Sequence, residues 1–210
     1  GNNTNWNFGI DDTITWNGSI DNNWNKAGNW VQGTVPRSID NVVIPNTTNK
    51  PALQNATSIR SLNISAGNAR LDLNNFDLTV TTNIVVVGTI TASGNEQISL
   101  GGNWDSTGGF FTAANSTVTF TATSSGKTIT SGSIIFNHLS FNGVSGGWTL
   151  VDNASATANL SIFNGTLNAG ANLLTVGGNW HSPSGRDSFP RPPAGARARW
   201  SVRPGSPGTA

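Results

Sequence analysis

Apolar residues one position apart recur along the middle of this chain, at Leu78/Val80, Ile98/Leu100, Val118/Phe120, Leu139/Phe141 and Leu160/Ile162. Successive pairs lie about 20 residues apart, and no other feature constrains the fold as strongly. Alternation of apolar with polar residues marks a strand with one buried face. The Gly, Asn and Asp clusters between the runs supply turn residues that tolerate positive φ. Short strands that return at a constant interval describe a chain coiling and stacking parallel on itself, each coil adding about 4.8 Å. A second set, Leu71, Ile90, Phe110, Ile129, Trp148 and Leu167, keeps nearly the same interval and reads as another inward column. The expected fold is therefore all-β, a parallel β-solenoid (β-helix) with coils of about 20 residues. A β-sandwich is the alternative, but it has no reason to hold two columns in constant register.

A longer period overlies the short one. The tetrapeptide GGNW occurs at Gly101–Trp104 and again at Gly177–Trp180, and the match extends back to Thr82 in the first copy and Ala158 in the second. In a solenoid these are equivalent corners. The glycines would allow the bend, Asn would take the left-handed region, and Trp would cover the core.

The ends differ from the middle. Thr13–Pro45 carries three of the eight tryptophans and none of the ladder. A solenoid must close its open end, because an exposed last coil recruits another chain edge to edge. Residues 1–60 are accordingly read as a Trp-rich N-terminal cap and residues 61–185 as the coils. Residues 186–210 hold five Arg, one Asp and five of the nine prolines, whereas residues 1–185 hold six basic and nine acidic side chains. The formal charge of +1 thus averages a net −3 and a net +4. Proline cannot donate to a ladder, so this tail reads as a linker, a basic arm or the product of a frameshift. The interrupted GGNW repeat favours the last. The opening GNNTNW has no initiator Met or signal-peptide pattern, so the chain reads as a processed product or an excised piece of a longer parent with further repeats.

The order Trp16, "GNW" ending at Trp30, Val35-Pro36, then "DNVVIP" from Asp40, resembles the opening of bacterial extracellular β-helix modules, including G8-like domains. The later GGNW-type units resemble the repeats of large modular bacterial surface proteins. The resemblance spans about Thr13 to Trp180. It implies a secreted or cell-surface location and an adhesive, scaffolding or carbohydrate-binding role.

Few residues suggest chemistry. Glycosidic hydrolysis needs two carboxylates about 5–10 Å apart. Asp77 falls in a column with Gln97, Thr117, His138 and Asn159, with no second acid. A polysaccharide lyase or hydrolase is thus a minor alternative, and the chain is read as non-enzymatic. Asp11, Asp12 and Asp21 match no EF-hand spacing, and His138 and His181 have no ligand-spaced partner, so no metal or cofactor is expected. No apolar run approaches the roughly 18 residues of a membrane span, and five Arg with little aromatic interleaving do not suggest nucleic acid.

If the second column points inward, its flanks place Thr89, Thr91, Thr128, Thr130 and Thr149 outward, an array that would suit ice binding. Phe111 and Phe163 are the outward aromatics on which a surface polysaccharide could stack. The principal expectation is a structural or adhesive solenoid module whose partner is such a polysaccharide or another cell-surface protein.

Overall fold

The computed structural model describes residues 12–181. The chain winds through three faces in turn, and every strand pair is parallel. The first face stacks β1 (Thr13–Thr15), β2 (Asn41–Ile44), β4 (Ser61–Ile64), β7 (Ile84–Val86), β10 (Trp104–Asp105) and β13 (Lys127–Thr130). The second holds β5 (Arg70–Asp72), β8 (Thr89–Thr91) and β11 (Phe110–Thr112), then β14 (Ile135–Phe136), β16 (Ala154–Ala156) and β18 (Leu174–Val176). The third stacks β3 (Thr57–Ile59), β6 (Leu78–Val80), β9 (Gln97–Leu100) and β12 (Thr117–Phe120). Two longer strands, β15 (His138–Leu150) and β17 (Leu160–Asn168), turn the corner from the third face into the first, and β19 (Trp180–His181) closes the described stack on the third. Seven coils result among the described residues, so the architecture is a parallel β-solenoid.

The recurring apolar pairs hold this stack together. Leu78 lies beside Ile98, Ile98 beside Val118, Val118 beside Leu139, and Leu139 beside Leu160. All five are buried. Each such side chain removed from water contributes roughly 1.5–3 kcal/mol. Phe120 and Phe141 continue the parallel column two residues on, their rings stacked at 5.1 Å and 10°.

The second column departs from its expected register. Ile90 pairs with Leu71 and with Phe111, not Phe110. Phe110 is 66% exposed, while Phe111 is half-buried against Trp104 and Phe136. Side chains alternate sides along a strand, so a slip of one residue exchanges inside for outside. Two adjacent phenylalanines give hydrophobicity no way to choose between the registers. Farther on, Ile129 pairs with Trp104 and Leu150, and Trp148 with Leu167, all on the first face. Trp148 also lies beside Lys127, two positions before Ile129, so the six residues fall in separate columns spread over two faces.

The two GGNW segments are not equivalent corners as expected: Gly101–Trp104 leads from the third face to the first and Gly177–Trp180 from the second to the third, though both use the same close backbone packing. A Cβ on Gly101 or Gly177 would collide with the carbonyl oxygen of Thr81 or Thr157 on the coil below, so the requirement is close approach of backbones rather than positive φ. The Asn residues form a ladder: Asn103 N–H donates to Asn83 Oδ1 at 2.9 Å, and Asn179 N–H to Asn159 Oδ1 at 2.8 Å.

Within the first sixty residues Trp16, Trp24 and Trp30 are all buried. Trp30 meets Trp16 at 4.9 Å and Trp24 at 4.7 Å, both edge to face, and its Nε1–H donates to Trp24 O at 2.8 Å. This segment also supplies β1 and β2, which pair with each other and then with β4. The fully buried Asp40 carboxylate accepts hydrogen bonds from Arg37 Nε, Nη2 and backbone N–H. Burial raises its pKa, but these bonds outweigh burial and hold it below the ordinary carboxylate range.

Candidate functional site

On the third face the outward positions form two straight columns. One runs Ser58, Thr79, Ser99, Thr119, Ser140, Ser161 and His181, position beside position. The other places Gln97 beside Thr117 and Thr117 beside His138, with Asp77 below and Asn159 above joined to it by hydrogen bonds. Gln97 N–H donates to Asp77 Oδ1 at 2.8 Å, and Asn159 N–H donates to His138 Nδ1 at 3.3 Å. An Nδ1 that accepts leaves Nε2 as the donor nitrogen of the ring.

Between these columns lies a groove of ≈ 380 Å³. Ser140, only 8% exposed, forms part of its floor. Thr119, His138, Asn142 and Asn159 contribute hydroxyl, imidazole and amide groups to its lining. Phe163 closes one end, 47% exposed, with its ring 5.7 Å from that of His181. Alternation after the inward Leu160 and Ile162 turns Phe163 outward, and the register shift between β15 and β17 that follows Ile162 leaves it without a partner on β15. Among the described residues no carboxylate lines the groove.

The other sequence-predicted residues lie elsewhere. Phe111 is corrected to an inward residue, as described, and the exposed aromatic at that point is Phe110. Thr89 and Thr91 flank Ile90 on the second face. Thr128, Thr130 and Thr149 stand on the first, where Thr128 pairs with Thr149 and Thr130 with Asp105. The five threonines thus form no single flat array, because the column expected to join them breaks up over two faces.

A second concavity, of ≈ 470 Å³, lies where the Trp cluster meets the second face. Its lining includes Asp21, Asn49, Lys50, Arg70 and Asp72. Isolated parallel bridges join Asn23 to Ala52 and Ala52 to Asp72, so the second face extends downward into the cap. Single residues make these bridges, with no run of alternating apolar residues, and the sequence carries no signal for them. Asp21 is held down at about 2 by hydrogen bonds from Lys26, then Asn29 and Asn23. Among the described residues no group of three or more His, Cys, Asp or Glu could hold a metal ion, and no helix is long and apolar enough to cross a membrane.

A family model described as a domain of unknown function (DUF8693) matches residues 15–100, which span the Trp cluster, the second concavity and the first coils. No curated protein and no solved structure matches the chain.

Proposed function

We propose that this β-solenoid is a non-enzymatic scaffold or adhesive module of a bacterial secreted or cell-surface protein, and that it binds a neutral polysaccharide along its third face. The observation that carries the reading is Phe163, an exposed ring at the end of a groove otherwise lined by hydroxyls, amides and an imidazole. A pyranose presents C–H groups on one face and hydroxyls around its rim, which such a groove complements. The coils repeat about every 4.8 Å, so the same donors and acceptors recur along a straight line, as a polymer requires. The lining holds no carboxylate pair for glycosidic acid–base chemistry, which favours binding over cleavage.

Titration of the chain with a panel of neutral polysaccharides, with and without calcium, tests the proposal. Saturable binding to at least one polymer is expected, weakened about tenfold by Phe163→Ala if the ring is a central contact. The absence of binding across the panel, or binding indifferent to Phe163→Ala, would refute it.

A further inference from the structure

The cleft between the Trp cluster and the second face holds an unusual column. Arg70 lies beside Thr89, and Thr89 beside Phe110. Lys50, two residues before Ala52, and Arg70, two before Asp72, both line the cleft. Two cations therefore share it, with the carboxylates of Asp21 and Asp72 also in its lining.

The carboxylates nearby do not relieve this charge equally. Asp21 accepts hydrogen bonds from Lys26 Nζ at 2.6 Å, Asn29 Nδ2 at 2.7 Å and Asn23 N–H at 3.0 Å. Asp72 accepts from Arg70 Nη2 at 3.2 Å and Asn74 N–H at 2.9 Å. The cations are less fully used. Lys50 Nζ donates to Asn46 Oδ1 at 2.6 Å and to Thr47 O, leaving one of its three donors. Among the described residues Arg70 spends one of five guanidinium donors, on Asp72. Asp72 keeps acceptor sites as well, but the spare donors of the cleft that carry positive charge are those of Lys50 and Arg70.

A volume of ≈ 470 Å³ suits a small ligand group, and such sites commonly enclose about 300–1,000 Å³. Two coils along the same column, about 10 Å away, Phe110 presents a ring that is 66% exposed. We infer that this face binds an acidic polysaccharide, with a carboxylate or sulfate group seated between Lys50 and Arg70 and a neighbouring sugar ring resting on Phe110. The inference rests on the carbohydrate reading for the class of polymer, but on different residues and a different face.

The test uses the full chain and three probes: polygalacturonate for the carboxylate, dextran sulfate for the sulfate, and unmodified dextran as the uncharged reference. Wild-type protein should bind at least one anionic probe more tightly than dextran, with affinity falling as NaCl is raised. Lys50→Gln combined with Arg70→Gln should weaken that binding about tenfold and remove most of its salt dependence. Arg70→Gln alone, on an exposed side chain, should show a smaller loss and guards against a fold defect at Lys50. Phe110→Ala should weaken the polymer several-fold while leaving the salt dependence intact. Preference for one anionic probe identifies the anion. Equal affinity for dextran and both anionic probes overturns the inference, as does a double variant that binds like wild type. Neither result bears on Phe163-dependent binding of neutral polymers, and loss of that binding leaves this test standing.

Discussion

Replacing Glu96 by Gln should lower the unfolding midpoint of the solenoid and flatten its dependence on pH. The residue is 2% exposed. Its carboxylate accepts N–H bonds from Ser93 at 2.7 Å and Gly94 at 2.8 Å within its own turn, and from Asn75 at 3.1 Å on the coil below. Asn74 and Asn75 both hold positive φ, 51° and 64°, so this acceptor supports a corner that the backbone resists. Burial disfavours the charge, but the backbone donors outweigh it and keep the carboxyl below its ordinary range. Glutamine retains one acceptor oxygen and turns an amide NH2 toward the remaining N–H. Losing one charge-assisted bond and weakening two others should cost about 2–3 kcal/mol. A pKa lower in the folded state means that the contribution is complete above the unfolded value of about 4.3 and fades as pH falls through the folded value. Urea unfolding followed by tryptophan fluorescence should therefore show a wide gap between the two proteins at neutral pH and a narrower one near pH 3. A gap that stays constant over that range would show that the Glu96 charge has no part in joining the coils.

Gly102→Ala should destabilise by about 1–3 kcal/mol, because a Cβ there would drive into the Thr82 carbonyl, which is backbone and cannot rotate away. Gly67→Ala, with open space around its Cβ, is the control and should leave the melting temperature nearly unchanged. Trp30→Ala should cost about 3–5 kcal/mol in chemical unfolding, since it removes the ring that both Trp16 and Trp24 pack against.

How much of this was legible depended on how far each signal repeats. The third-face columns could be read directly, because apolar pairs returning once per coil leave one register that buries them all. The outward Ser/Thr column, and the column from Asp77 to Asn159, followed from the same register. Phe110 and Phe111 were ambiguous because either can fill an inward position. What decides is a contact between coils, Phe111 against Trp104 at 5.6 Å and Phe136 at 6.0 Å, which spacing alone does not contain. The cleft was invisible for a related reason. Lys50 and Arg70 lie 20 residues apart in the sequence like many other pairs, but the bridge at Ala52 that brings their segments to one cleft has no flanking alternation to announce it.

The roles taken by charged residues follow one pattern. Asp21, Asp40, Asp72, Asp77, Glu96, Asp105 and Asp152 each accept at least one backbone N–H, at turns or across coils. A chain that turns three times per coil exposes many backbone donors at its corners, and a carboxylate satisfies them more strongly than a neutral acceptor does. Acids committed in this way are fixed in geometry, and their scatter through the sequence follows the corners they serve. Cations gain nothing comparable from those corners, because they cannot accept an N–H. They pair with an acid already in use, as Arg37 does with Asp40, Lys26 with Asp21 and Arg70 with Asp72, or donate to neutral oxygens, as Lys50 does, and Lys50 and Arg70 keep spare donors on the surface. The same economy of hydrogen bonds that builds the corners thus leaves the second face with spare positive donors and the third with neutral ones. Those are the two kinds of surface that an anionic and a neutral polymer would separately require.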